Sequence, residues 1–115
     1  MMKIIEKENN RIAIVGLVGD PLGEPDAMAL RKKIAEISHD NIRHVIIDLG
    51  KVKHINSAGL GGLISAMFTM VKANGSLTFA SAGANVKDVF RITNLIKVFT
   101  LYDSVDEALK NHPPK

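Results

Sequence analysis

The chain has no cysteine and no tryptophan. The first absence excludes disulfides, thiolate zinc sites and thiol nucleophiles. The second, with four Phe and one Tyr as the whole aromatic content, leaves too few rings for the stacking platforms that bind single strands or RNA. Charge of one sign is missing too: 15 basic against 12 acidic residues leave +3, with no run of five like charges. The densest basic cluster, Arg31-Lys32-Lys33, falls inside a helical pattern. It reads as a solvated helix face, and nucleic acid is not an expected partner. Long apolar runs are absent. The longest, Ile12 to Gly19, is far short of the roughly 18 residues a membrane span needs. Glu6 and Glu8 ahead of it do not fit a signal-peptide layout.

What is present is an ordinary globular composition, 46% apolar and 23% charged over 115 residues. A chain of this length forms one domain and buries roughly two-thirds of its unfolded surface. The expectation is a single domain over residues 1–115, with a core at 3–110 and a flexible tail at 111–115. It is expected to be soluble and cytoplasmic, with no membrane insertion.

Two strands open the chain, Lys3 to Glu8 and Arg11 to Val18, with Asn9-Asn10 between them. Asn tolerates positive φ, so a two-residue hairpin turn fits there. Gly19-Asp20-Pro21-Leu22-Gly23 is a breaker cluster and reads as loop. Pro25 suits the first helical position. Ala27, Leu30, Ile34 and Ile37 then recur at helical spacing and form one apolar stripe. Arg43 to Leu49 follows as a strand, its Val45-Ile46-Ile47 run implying burial on both faces. The next helix carries Leu60, Leu63, Ile64, Met67 and Val71 on its predicted core side and ends at Asn74-Gly75 in a left-handed cap. Leu77 and Phe79 mark a strand ending near Ser81; Val86, Val89 and Phe90 mark a short helix reaching Thr93. Val98 to Leu101 reads as a last strand, and Ser104 with Glu107 as a capping box opening the final helix. The order β-β-α-β-α-β-α-β-α predicts an α/β fold. Its sheet is mixed, with an antiparallel N-terminal hairpin edge and otherwise mainly parallel strands, packed with about four helices.

The chemically informative stretch is Ile55-Asn56-Ser57-Ala58-Gly59-Leu60-Gly61-Gly62-Leu63, between the buried strand and the most apolar helix. Ligand and partner sites of α/β sheets favour such strand-to-helix turns. Glycines there permit close backbone approach, and a helix N-terminus exposes free N–H groups and a partial positive charge. A serine in this place has two readings. It caps the helix, worth on the order of 1 kcal/mol, or it presents a hydroxyl that accepts a phosphoryl group, whose charge the helix N-terminus stabilises. The pattern alone leaves both open. The glycines lack the spacing of the dinucleotide fingerprint; no Gly-Lys-Ser/Thr triplet makes a P-loop, and no Gly-x-Ser-x-Gly elbow occurs. His39, His44, His54 and His112 show no ligand spacing, and Asp48 reads as a strand-end carboxylate capping a loop. No acid is paired with a base, so no catalytic residue, cofactor or metal is expected.

Val45-Ile46-Ile47-Asp48-Leu49 followed by Ile55-Asn56-Ser57-Ala58-Gly59-Leu60-Gly61 resembles the signature of STAS domains, the sulfate-transporter and anti-sigma-factor-antagonist domains. Gly19-Asp20 with Leu22 and Ala29-Leu30-Arg31, Phe90 to Leu95 with Val98-Phe99, and Tyr102 to Leu109 resemble further family segments in the same order, covering residues 10–110. The resemblance implies a stand-alone anti-sigma factor antagonist, a bacterial regulator of transcription rather than an enzyme. Such a protein binds an anti-sigma factor when unphosphorylated and so releases a sigma factor. The implied partner is also a serine kinase of the histidine-kinase-like ATPase fold, which switches the complex off by phosphorylating the loop serine; a PP2C-type phosphatase resets it. By position, Ser57 is the implied phosphoacceptor, and Asp20, Gly23, Asn56, Ser57, Ala58, Gly59, Leu60 and Gly61 the implied partner-binding face. The implied state is a monomer that forms heterocomplexes. Asn56 stands where the family usually has Asp, Pro21 resembles an insertion, and Gly23 sits where many members carry a second acidic residue. The alternatives are a STAS subunit of a lipid-transport ATPase or stress-signalling scaffold, with Ser57 unphosphorylated, and a small nucleotide-binding or hydrolytic protein using the glycine loop.

Overall fold

The computed structural model describes residues 2–7, 12–40 and 42–111. Among them the elements run β1 (Met2–Lys7), β2 (Ile12–Gly19), α1 (Glu24–Ser38), β3 (His44–Val52), α2 (Ser57–Lys72), β4 (Ser76–Ala80), α3 (Ala84–Ile92), a 3-10 turn at Leu95–Lys97, β5 (Leu101–Tyr102) and α4 (Val105–Lys110). The sheet order is β1-β2-β3-β4-β5. β1 runs antiparallel to β2, from Met2 opposite Leu17 to Lys7 opposite Ile12. The β2–β3, β3–β4 and β4–β5 pairs are parallel. The expected Asn9-Asn10 turn lies outside the described residues.

Each parallel step moves to the next strand in the same direction, so successive crossovers of one hand put α1, α2 and α3 on one face. The two periodicities then sort the side chains. Ala13, Val15, Leu17, Val45, Ile47, Leu49, Leu77 and Phe79 point toward these helices, into a core with Leu30, Ile34, Ile37, Leu63, Ala66, Met70, Val86 and Phe90. Alternate residues Ile12, Ile14, Ile46 and Ala80 face the other way, onto α4 through Ala108, Val105 and Leu109. Continuous burial of Val45, Ile46 and Ile47 in β3 follows from this cover on both faces. Phe79, Phe90 and Phe99 fill the α3 end of the core, with ring centroids 4.5–6.0 Å apart.

Several expectations need correction. β3 runs on to Val52, so Asp48 lies inside the strand and not at its end; its Oδ1 accepts the Gly50 N–H at 2.9 Å. The core side of α2 is Gly59, Gly62, Leu63, Ala66 and Met70. Leu60, Ile64 and Met67 flank it half-buried, and Val71 is 55% exposed. The cause is α1, which passes so close that a Cβ on Gly62 would come 2.7 Å from the Ala27 Cβ. Small residues therefore occupy the contact, and large ones are displaced to its sides. The last strand starts at Leu101 rather than Val98, because Asn94 turns left-handed (φ 62°) and the 3-10 turn occupies Leu95–Lys97. Gly19 belongs to β2, and α1 begins at Glu24, one residue before Pro25. The left-handed residue ending α2 is Asn74 (φ 63°). The Gly75 N–H donates to Met70 O at 2.8 Å and the Asn74 N–H to Val71 O at 3.0 Å, the paired bonds of a Schellman cap. Gly75 is required for a different reason: its Cβ would sit 2.2 Å from Arg43 O.

Candidate functional site

The parallel strands β2, β3 and β4 deliver their carboxyl ends to one edge of the sheet, where the loops leading to α1, α2 and α3 meet. The first two loops are zipped together. The Lys53 N–H donates to Gly19 O at 2.9 Å, the Leu22 N–H to His54 O at 2.8 Å and the Asn56 N–H to Leu22 O at 3.2 Å, and Leu22 bridges Ile55. Leu22 is buried and anchors the pair. Both loops then turn directly into helices, capped by Gly23 and Asn56. The two N-termini therefore lie side by side: a Cβ on Gly23 would stand 3.0 Å from Asn56 Nδ2. Free N–H groups and the positive ends of two helix dipoles converge on this edge.

Asn56 and not Ser57 is the N-cap of α2. The Asn56 Oδ1 accepts the Gly59 N–H at 3.0 Å, and Ser57 is the first helical residue. The capping reading of Ser57 is thereby overturned: an amide side chain one residue earlier already satisfies the donor a capping serine would take. Ser57 is exposed, and its hydroxyl has no hydrogen-bond partner among the described residues. Asn56 next to it and Asp20 on the adjoining loop are exposed, Ala58, Leu60 and Gly61 are half-buried, and Gly23 and Gly59 are buried. Gly59 serves the protein's own packing, since its Cβ would meet Leu22 O at 2.2 Å. At Gly61 the nearest atom to such a Cβ is 3.8 Å away, so this glycine leaves open surface.

Sequence reasoning missed two residues here. His54 Nδ1 lies 2.6 Å from Asp20 Oδ1, and His54 Nε2 lies 3.3 Å from Asn85 Nδ2 at the start of α3. The Asn85 amide also donates to Lys53 O at 3.5 Å. This chain of side chains ties all three loops. Both partners of the Asp20–His54 pair are well exposed, so the pair is worth little in stability and acts chiefly in orientation. Its members are 34 residues apart, so no local spacing could mark it. The topology could, because both follow adjacent parallel strands. A shallow cavity of about 350 Å³ runs beside it, lined by Gly50, Val52, Lys53, His54, Gly83, Ala84 and Asn85. His44 lies elsewhere, at the start of β3, 2.7 Å from Ser76 Oγ. His39 is exposed past the end of α1, and His112 falls outside the described residues. Among the described residues no group of acidic or His side chains could hold a metal ion, and no helix is long and apolar enough to cross a membrane.

The geometry is that of an open surface that presents the unengaged Ser57 hydroxyl, with the exposed Asp20–His54 pair on the adjoining zipped loops. Comparison with known proteins agrees with its sequence pattern. The profile of the family described as "STAS domain" matches residues 3–108. BtrV of Bordetella bronchiseptica, named among the anti-sigma factor antagonists, is 26% identical over 83 residues, 72% of each chain. The anti-sigma factor antagonist SpoIIAA in its unphosphorylated form superposes with a TM-score of 0.81 at 17% identity, over 96% of this chain and 95% of that one. The phosphorylated form from Bacillus superposes at 0.75 and 16% identity, over 96% and 98%. The same fold occurs in the murine Solute Carrier 26 family member A9 anion transporter, at a TM-score of 0.76 and 19% identity; 90% of this chain matches 18% of that protein.

Proposed function

The chain belongs to the STAS domain family, and from that premise we propose that it is an anti-sigma factor antagonist gated by phosphorylation of Ser57. Unphosphorylated, it binds an anti-sigma factor through the edge formed by Asp20, Gly23 and the Asn56–Gly61 turn. This binding releases the sigma factor. The observation that carries the reading is the uncommitted Ser57 hydroxyl, exposed on the first turn of α2 while Asn56 does the capping. The anti-sigma factor is itself the kinase, of histidine-kinase-like ATPase fold. The Ser57 Oγ attacks the γ-phosphorus of ATP, the bond to the β-phosphate oxygen breaks, ADP leaves, and the hydroxyl proton passes to a base on the kinase. A PP2C-type phosphatase hydrolyses the ester and restores the binding form.

The added group carries about −1.5 to −2 charges. In the free protein the N-terminus of α2 accommodates it. In a tight interface it suffers desolvation and repulsion, and a loss of about 3 kcal/mol weakens binding more than a hundredfold. Refolding is not needed.

The test is affinity capture from host lysate with wild type and Ser57→Asp as parallel baits, partners being identified by mass spectrometry. A kinase-type anti-sigma factor held by wild type and lost by Ser57→Asp supports the switch. The same partners on both baits refute it. A second reading, in which the domain is a subunit of a transport ATPase or signalling scaffold, draws on the likeness to a transporter domain. It requires a transport protein as the main partner on both baits.

A further inference from the structure

We propose that Arg31 is the intramolecular partner of a phosphoryl group on Ser57, exchanging the Glu24 carboxylate for the phosphate. The inference rests on the reading of Ser57 as a phosphoacceptor and assigns the residue that receives the new charge.

Arg31 sits in the middle of α1, yet its guanidinium reaches back toward the helix start. Nη1 lies 3.6 Å from Glu24 Oε1, seven residues earlier. The other terminal nitrogen, Nη2, lies across the helix pair, 3.8 Å from the place a Cβ on Gly61 would take. Gly61 is four residues after Ser57, on the same face of α2 and roughly 5–6 Å from it. The cation therefore lies beside the Gly61 position, which is itself one turn along α2 from Ser57, at a surface that glycine leaves bare. Neither participant is committed. The Ser57 hydroxyl has no hydrogen-bond partner among the described residues. The Arg31–Glu24 contact is long and half-exposed, with side-chain exposures of 43% and 59%, which makes it a weak pair.

A phosphate changes the competition. It offers three acceptor oxygens and nearly twice the charge of a carboxylate, and the planar fork of arginine fits it with two parallel hydrogen bonds. The other charged groups on the adjoining elements are Asp26 in the first turn of α1, Lys32 with the Lys33–Glu36 pair later in α1, Lys53, and the exposed Asp20–His54 pair. Asp26 is engaged at the start of its own helix, accepting the Gly23 N–H at 3.3 Å. Glu24 is then the anion that competes for Arg31, and Arg31 the cation nearest to the open Gly61 surface.

The test installs phosphoserine at position 57 by genetic encoding, so that no kinase is involved, and follows its titration by 31P NMR. The wild-type background is compared with Arg31→Gln and Glu24→Gln, both on exposed side chains. Loss of Arg31 should raise the phosphate midpoint by about half a pH unit. Loss of Glu24 should lower it by a few tenths, and both shifts should shrink toward zero near 1 M salt. In the wild-type background the Arg31 Nε–H resonance should move when position 57 carries phosphate, a signature that a merely structural arginine would not give. Midpoints within roughly a tenth of a unit across all three proteins, with an unmoved Arg31 resonance, overturn the assignment. Separately, incubating the unmodified protein with its kinase and ATP tests the underlying reading: absence of phosphate on Ser57 defeats that reading, whatever Arg31 does in the encoded phosphoprotein.

Discussion

Replacing Gly59 and Gly61 by alanine, one at a time, should shift stability in opposite directions although the two lie two residues apart in the same helix. At position 59 the new Cβ falls 2.2 Å from Leu22 O, 2.8 Å from the Leu22 carbonyl carbon and 3.1 Å from Ile55 Cγ1. The obstacle is backbone. Leu22 is held from both sides, donating to His54 O at 2.8 Å and accepting from the Asn56 N–H at 3.2 Å. Relief requires the first turn of α2 to back away from the first loop, which stretches those bonds, at about 1 kcal/mol each. Overpacking adds roughly 1–3 kcal/mol. Against this, alanine gains up to about 1 kcal/mol over glycine in a helix. The balance is a loss of about 2–4 kcal/mol, or about 8–16 °C in Tm for a domain of this size. At position 61 the nearest atom is 3.8 Å away, the flexible end of Arg31. Only the propensity gain remains there, and Tm should rise by up to about 4 °C. Urea and thermal melts followed by circular dichroism, at one pH and salt concentration, measure both. A Gly59→Ala protein as stable as wild type, or a Gly61→Ala protein as destabilised as Gly59→Ala, would refute the packing argument.

Asn56→Ala removes the acceptor of the Gly59 N–H and should cost about 1 kcal/mol. Asn56→Asp keeps the acceptor and adds charge at the positive end of α2, so its midpoint in urea should equal or exceed that of wild type. His44 supplies a pH dependence. Burial first, and then the Arg43 guanidinium beside it, holds its imidazole below the ordinary value of 6.5. The unfolded chain therefore binds the proton more readily. The stability this group supplies is complete above that value and declines as pH falls through it toward the lower folded-state value. His44→Gln should flatten the change in urea midpoint between about pH 7.5 and pH 5.5, and an unaltered slope would count against the assignment.

Much of the fold was legible because its signals are local. The Ala27-Leu30-Ile34-Ile37 stripe, the Val45-Ile46-Ile47 run and the Ser104 cap, whose side chain accepts the Glu107 N–H, each declare themselves within a few residues. The face of α2 did not. Periodicity favoured the large residues Leu60, Ile64, Met67 and Val71, whereas the buried positions include Gly59, Gly62 and Ala66. A hydrophobicity pattern ranks side chains by size, and the closest helix contacts are made where side chains are smallest. The same limit hid the purpose of the glycines. In sequence they read only as room for close backbone approach; in the structure Gly59 and Gly62 are room for Leu22 and Ala27 of this chain. The Asp20–His54–Asn85 chain joins three loops and had no local trace at all. Ser57 was marked as important by its turn, but its freedom depends on which neighbour caps the helix, and both Asn56 and Ser57 are good caps by type.

That division between neighbours bears on how a switch can work in so small a domain. If the modified serine also capped α2, esterification would load a dianion onto the oxygen that holds the Gly59 N–H. Regulation and helix stability would then move together. With Asn56 as the cap, the Oδ1–Gly59 bond is independent of what Ser57 carries. A charge added one residue into the helix meets a favourable dipole, worth about 0.3–1 kcal/mol at an exposed site. On the proposed reading the free protein therefore meets little resistance to phosphorylation at Ser57, and both forms are expected to stay folded. The proposed switch then places discrimination in the complex, where a phosphate would lose water and meet a partner surface. The same zipped loops that align the two helix N-termini brace this chain's side of the contact, through the Lys53–Gly19, Leu22–His54 and Asn56–Leu22 backbone bonds. A braced surface yields little to an inserted phosphate, so on the proposed reading a small covalent change would suffice to exclude a large partner.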